Sequence, residues 1–181
     1  EFINGSWSQL GQDIHGESAH DNLGHSVSLN QNGNIIAIGA PYEDFQNGAN
    51  NDVGIVRVFA YNSNSWNLVG NVIEGEDGYD LSGWSVSLNE IGNVVAIGAK
   101  QNDGNGTHSG HIRTYRNING AWSLTGQDID GESAYDYSGY SVALNDDGTK
   151  FVAGANQNDG NGTNSGHVRV YNINNPCSDL G

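Results

Sequence analysis

The feature of this sequence that most constrains the fold is a segment, rich in glycine, valine and isoleucine, that occurs three times. The copies read LGHSVSLNQNGNIIAIGA from Leu23, SGWSVSLNEIGNVVAIGA from Ser82 and SGYSVALNDDGTKFVAGA from Ser138. Only the first copy has a longer loop, between Ala40 and Gly54. Such internal repeats indicate an array of similar units, because each unit alone cannot bury its apolar face.

Each copy contains four short segments with the pattern of a β-strand. An alternating segment and an Asn/Gly turn, such as Asn32–Gly33, predict a tight hairpin. The next segment, Ile35–Ala40, is apolar throughout, which indicates a strand buried on both faces. A third strand starts near Ile55, and Trp122–Leu124 exemplifies the fourth. Helical periodicity is absent, so we predict β-structure without helix, with the innermost strands at Ser26–Leu29, Ser85–Leu88 and Ser141–Leu144.

Repeated four-stranded antiparallel units of this size are typical of a β-propeller, in which each unit forms one blade. A β-solenoid is the alternative, but its coils are shorter and lack paired hairpin turns. We predict an all-β fold, a β-propeller of four-stranded antiparallel blades with three blades per chain. Residues 1–181 would form a single half-propeller domain, with blades at about 23–81, 82–137 and 138–172.

The first residues are out of phase with the blades. Residues 3–14 match residues 118–129, which makes them a fourth strand with no blade in front, while no tryptophan strand follows Tyr171. We predict that strand 3–14 completes the third blade of its own chain or of a neighbour. Because propellers have about 4 to 8 blades, we expect a homo-oligomer, either a dimer that forms six blades or a filament. The alternative is a fragment of a longer propeller.

The charge of the chain excludes some partners. It has 6 Lys and Arg against 21 Asp and Glu, a formal net charge of -15. Such a surface repels nucleic acid, so we expect no nucleic-acid partner. No apolar run approaches the ~20 residues that a membrane-spanning helix needs, so we expect no membrane insertion.

The stretch GYSVALNDDGTKFVAGA, followed by SGHVRVY, resembles the blade repeat of integrin-α-like propellers, the FG-GAP repeat, especially bacterial extracellular forms. The resemblance runs from Ile3 to about Asn172. It implies an extracellular or cell-surface protein that acts by binding, so we expect no enzymatic activity. The sequence departs from the family at the turn after the first strand, where the alternating aspartates of a calcium loop are replaced, as in Asn30–Asn34. We therefore predict plain hairpins at these turns.

Two kinds of polar loop would share one face of the propeller. They are the loop between the second and third strands and the loop that joins successive blades, because antiparallel strands place alternate loops at opposite ends. The candidate ligand-binding residues on this face are Glu17, Asp21, Glu76, Asp80, Asp103, Asn105, Glu132, Asp136, Asp159 and Asn161. Asp103, Asn105, Asp159 and Asn161 are also candidate metal ligands, with calcium as the cofactor to test. Turn capping and sugar contacts are the alternatives to a cation site.

No nucleophile, histidine and acid arrangement of a catalytic site stands out. His25, Trp84 and Tyr140 occupy one equivalent position on the innermost strands, where packing between blades is the favoured interpretation and a ligand platform the alternative. Two functions remain: a non-enzymatic adhesion or ligand-binding module, with a glycan or a surface protein as ligand, and a structural subunit that self-assembles into rings or filaments by strand exchange.

Overall fold

The computed structural model describes residues 2–3, 5–44 and 51–173, and within these ranges every regular element is a β-strand. No helix there is long and apolar enough to cross a bilayer. The strands are β1 (Phe2–Ile3), β2 (Ser6–Trp7), β3 (Ser26–Leu29), β4 (Ile35–Ala40), β5 (Ile55–Asn62), β6 (Ser65–Leu68), β7 (Ile73–Glu74), β8 (Ser82–Leu88), β9 (Val94–Ala99), β10 (His111–Ile118), β11 (Ala121–Leu124), β12 (Ile129–Asp130), β13 (Ser138–Leu144), β14 (Lys150–Ala155) and β15 (His167–Asn172).

The strands form three larger antiparallel sheets. In the first sheet the order is β3-β4-β5-β6, with β7 also paired to β5, and in the second it is β8-β9-β10-β11, with β12 also paired to β10. The third sheet contains β13-β14-β15. The fold is therefore all-β and propeller-like, and the predicted innermost strands are confirmed. Residues 45–50, at the centre of the long loop of the first copy, lie outside the described residues.

The innermost strands of the second and third sheets begin earlier than the alternating pattern predicts, at Ser82 and Ser138. The extension contains a register shift, between Ser82 and Ser85 and between Ser138 and Ser141. The glycines at these shifts, Gly83 and Gly139, have φ of 83° and 80°, where a side chain is rarely tolerated. The Gly-aromatic-Ser motif of the repeat therefore encodes a bulge before the strand.

Apolar side chains are buried between neighbouring sheets. The junction of the first and second sheets buries Val56 and Val58 against Val95, Ile97 and an indole. That indole is the side chain of Trp122, the largest in the cluster. The junction of the second and third sheets buries Phe151 and the apolar residues Val94, Ala96, Ile112, Ala153 and Ile173. In the turn between β3 and β4, the side-chain oxygen of Asn30 accepts hydrogen bonds from the amides of Asn34 and Ile35.

The amino-terminal segment, defined here as residues 5–14, lies against the first sheet. Trp66 Nε1 donates to the Leu10 carbonyl at 2.8 Å, and its backbone N–H donates to the Gln12 side chain at 3.0 Å. Within the described residues, β2 pairs with β1, and β15 pairs only with β14. Completion of the third sheet by residues 3–14 thus stays a prediction.

Candidate ligand-binding face

The two kinds of polar loop meet at one end of the sheets, as the sequence predicts. Asn105 Nδ2 donates to the carbonyls of Gly131 at 2.9 Å and Glu132 at 3.0 Å, and the Tyr135 amide donates to the Thr107 carbonyl at 2.8 Å. We call this end the loop face. It contains the described residues of the loop after the second strand of each sheet, together with the connection that enters each sheet.

One aspartate in each connection is buried as a turn cap. The Asp80 carboxylate accepts the Asp77 amide at 3.1 Å and Asn102 Nδ2 at 2.9 Å, and burial raises its pKa. Asp136 accepts the same two kinds of bond, and Asp21 accepts the Ser18 amide at 2.7 Å. These contacts hold the connection against the adjoining loop.

The glutamates of the connections pair with arginines on the third strand of the sheet that follows. Glu17 lies 2.7 Å from Arg57 and Glu76 lies 2.6 Å from Arg113. The third pair, Glu132 and Arg169, is 2.5 Å apart. These side chains lie at the loop face, but each already has a cationic partner, so a ligand would have to share them.

The candidate calcium residues take part in turn geometry. Asp103 Oδ1 accepts the His108 amide at 2.6 Å, and Asp159 Oδ1 accepts the Asn164 amide at 2.7 Å. Asn161 donates its backbone N–H to Ser165 Oγ at 3.3 Å. These bonds favour turn capping over ion binding. Calcium binding by these residues remains a prediction.

The loop face contains a cavity of about 420 Å³ between the connection after the first sheet and the loop after β9. Three of the candidate ligand residues line it: Glu76, Asp80 and Asp103. Asn102 and the exposed Asp77 complete its polar wall. The cavity is therefore concave and rich in carboxylate oxygens, which accept hydrogen bonds from hydroxyl groups.

The connection that lines this cavity and the next connection each contain an exposed aromatic residue next to the buried aspartate. Tyr79 and Tyr135 occupy equivalent positions, are both more than half exposed, and have φ of 68° and 69°. His20, at the third such position, has φ of 77°. Left-handed backbone at a residue with a side chain costs of order 1 kcal/mol and is frequent at binding sites. The repeat makes these three residues equivalent in the sequence, but the sequence gives no sign of their backbone conformation.

The aromatic row of the innermost strands is a packing feature. The His25 and Trp84 ring centroids are 4.2 Å apart, and those of Trp84 and Tyr140 are 5.9 Å apart. Lys100 Nζ lies 3.2 Å from the centroid of Trp84, a cation–π contact that covers part of the indole. Burial lowers the pKa of Lys100. The contacts favour the packing interpretation over a ligand platform.

One cluster has the composition of a metal site: Glu76, His111 and Asp128, whose ligand atoms lie within 4.8 Å of one another. Arg113 already pairs with both carboxylates, at 2.6 Å and 2.5 Å. Its hydrogen bond to Asp128 raises the pKa of the arginine and lowers that of the aspartate. Burial and Arg113 lower the pKa of His111 to about 4. A bound cation would have to displace the guanidinium, so the cluster fits an ion-pair network rather than a metal.

A comparison with protein families finds a match for one of the three copies of the repeat. Residues 127–171, which include β13, β14 and most of β15, match the FG-GAP repeat family. No curated protein matches the sequence at a significant level. The matched residues include the third copy of the internal repeat, so the resemblance seen in the sequence is confirmed there.

Two solved structures show the same kind of fold at low sequence identity. One is a putative 6-phosphogluconolactonase from Bacteroides uniformis, with a TM-score of 0.54 and 11% identity over 84% of this chain. The other is hydrazine synthase of Kuenenia stuttgartiensis, with a TM-score of 0.50 and 12% identity over 84% of this chain. This chain spans only 38% and 45% of those two chains. At such identities the likeness concerns the fold alone.

Proposed function

We propose that this protein is a non-enzymatic, extracellular or cell-surface β-propeller module that binds a polar ligand at its loop face. Its three larger sheets would be three blades of one propeller, and the third would have four strands once a fourth is added. The FG-GAP repeat at residues 127–171 supports the extracellular assignment, because such repeats are typical of extracellular proteins.

The observation that carries the binding role is the cavity of about 420 Å³ at the loop face. Its wall offers carboxylate and amide groups, and Tyr79, whose chain neighbours Gly78 and Asp80 line the cavity, has an exposed aromatic ring. Carboxylates accept hydrogen bonds from hydroxyls, and an aromatic ring covers an apolar face, so the combination suits a glycan. The connection after the second sheet repeats the arrangement around Tyr135, and repeated weak sites gain strength through multivalent binding.

The proposal is tested on an array of neutral and acidic glycans, followed by titration calorimetry with any glycan that binds. Asp77→Asn should weaken binding about tenfold, because it removes a charged acceptor from the cavity wall. Asp146→Asn is the matched control, since this exposed aspartate lies in the β13–β14 hairpin at the opposite end of the sheet. Equal affinities for both variants and the wild type, or no glycan bound at all, would contradict glycan recognition at this cavity.

A further inference from the structure

The two internal junctions, between the first and second sheets and between the second and third, have the same close backbone contact. A Cβ added at Gly39 would lie 2.1 Å from the Gly83 carbonyl oxygen, and one added at Gly98 would lie 2.1 Å from that of Gly139. In both junctions a serine hydroxyl donates to the same carbonyl, at 2.7 Å and 2.8 Å. At Gly154, the equivalent position of the third sheet, the neighbours within 4 Å all belong to that sheet's own serine.

The outward face of the third sheet is apolar and uncovered among the described residues. Ile112 and Thr114, on β10 of the second sheet, are 1% and 5% exposed because the third sheet covers them. The equivalent residues of β15, Val168 and Val170, are 69% and 70% exposed. The same position is therefore buried at an internal junction and open at the end of the array.

The opposite end of the array has the complementary face. Val86 and Leu88 of β8, which pack against the first sheet, are 8% and 7% exposed. Their equivalents on β3, Val27 and Leu29, are 60% and 58% exposed. One end of the chain thus presents the surface that the other end lacks.

The third sheet also has an open slot where a tryptophan lies at the other junctions. Trp122 Nε1 donates to the Val69 carbonyl at 2.9 Å, and its ring contacts the position of a Cβ at Gly70. Thr125 and Gly126 follow the outer strand of the second sheet and are equivalent to Val69 and Gly70. A Cβ at Gly126 would meet nothing within 4 Å. A cavity of about 340 Å³ lies there, lined also by Gln127.

The amino-terminal segment has the sequence and the place of an outer strand. Its Leu10 carbonyl accepts Trp66 Nε1, as the Val69 carbonyl accepts the indole of Trp122. It therefore occupies the position that the outer strand of a preceding sheet would have. Its own indole, at Trp7, is 84% exposed.

We propose that two copies of this chain join head to tail, the amino-terminal segment of one copy completing the third sheet of the other. The pairs Tyr115–Leu124 and Ile112–Ile129 of the second sheet fix the register. By equivalence, Tyr171 lies opposite the second copy's Gln9, and Val168 lies opposite its Ile14. The Trp7 indole enters the slot at Thr125–Gln127.

The same contact places the β3 face of one copy over the β15 face of the other, so Val27 and Leu29 cover Val168 and Val170. The contact is heterologous, and with three sheets per chain two such contacts close a ring of six sheets. Ala143 stands where the hydroxyl oxygens of Ser28 and Ser87 each accept a backbone N–H across the internal junctions, so the contact between copies has one hydrogen bond fewer. This inference is independent of the proposed ligand.

Mass in solution, measured by light scattering and sedimentation, tests the inference on the full chain. The wild type should have twice the mass of one chain. Trp7→Ala and Gly154→Ala should each weaken association at least about 100-fold, because one removes the indole and the other adds a methyl group against the second copy's backbone. Tyr135→Ala is the control, since it removes a ring that is 55% exposed on the loop face, away from the proposed contact. It should leave the mass unchanged.

A register experiment separates this contact from any other dimer. Chains carrying Gln9→Cys are mixed with chains carrying Tyr171→Cys, both with Cys177→Ser, and oxidised. The expected product is a disulfide between one chain of each kind. A wild type that is monomeric at high concentration would overturn the proposal, as would a dimer that both Trp7→Ala and Gly154→Ala leave intact. Loss of glycan binding with the dimer intact would concern only the proposed function.

Discussion

Replacing His111 by isoleucine should remove a specific part of the acid sensitivity of the fold. His111 is 3% exposed on β10, and its Nδ1 has no hydrogen-bond partner among the described residues. Burial, together with Arg113, lowers its pKa from 6.5 to about 4 despite the opposing carboxylates of Asp128 and Asp130. Ile55 occupies the equivalent position of the first sheet and is 2% exposed, so the fold accepts isoleucine there.

The magnitude follows from proton linkage. Between pH 6.5 and pH 4 the unfolded chain binds a proton at this histidine and the folded chain does not, so stability falls as the pH falls. A shift from 6.5 to about 4 corresponds to about 3.5 kcal/mol in total at ~1.4 kcal/mol per pH unit, of which about 3 kcal/mol is lost by pH 4, where the folded histidine is half protonated. Above pH 6.5 both states are neutral, and His111→Ile should be as stable as the wild type or more so, because it removes an unpaired buried nitrogen.

Urea denaturation of both proteins from pH 7 to pH 4, at one protein concentration, measures the effect. The other titrating groups are common to both proteins, so the difference between the two pH profiles isolates His111. The wild type should lose about 3 kcal/mol more than His111→Ile over this range. Parallel profiles would mean that the folded protein protonates His111 near its ordinary pKa, and the account of the buried neutral imidazole would be wrong.

Two further substitutions test the junctions and the ion pairs. In a Trp7→Ala background, Gly98→Ala should lower the free energy of unfolding in urea by about 3 kcal/mol or more, because the added methyl group meets a neighbouring backbone carbonyl. Gly154→Ala in the same background should lower it by about 1 kcal/mol or less. Equal losses for the two variants would refute the junction geometry. Arg113→Met should lower stability by about 2 kcal/mol at pH 7, since it breaks two charged contacts. Arg113 lowers the pKa of Asp128, so this deficit should shrink as the pH falls below the usual carboxyl range, and a deficit constant down to pH 3 would contradict the pairing.

The repeat made most of the fold predictable, because each strand carries its own signal. Ser26–Leu29 and Ile35–Ala40 appear in the structure at the predicted positions, and the loop face forms as antiparallel topology requires. The bulge at Gly83 was not predicted, because alternation does not reveal where a glycine interrupts the register. The spare strand was evident from its match to the strand that contains Trp122.

The ion pairs and backbone conformations of the candidate site residues were harder to predict from the sequence. Glu76 pairs with Arg113, 37 positions further along the chain (113 minus 76), and only the sheet register brings the two together. The recurrence of one glutamate and one arginine in every copy was a usable signal for this pairing. The left-handed backbone of Tyr79 had no such signal, since only glycine and asparagine usually mark it. The depth of the cavity depends on the spacing between two sheets, which local patterns do not encode.

The glycine contacts between neighbouring sheets have a consequence for the way the chain folds and evolves. Since the contact of Gly39 outside its own sheet is with Gly83 of the second sheet, and that of Gly98 is with Gly139 of the third, stabilising contacts pass between successive units, as in a one-dimensional array. In a single chain, before two copies join, unfolding should then begin at the first and third sheets and proceed inward, with the slowest amide exchange in β9. A gene duplication that added one whole unit would repeat an existing junction, but closure of a ring would then need a different angle between neighbouring sheets, so the number of units can change only together with that angle.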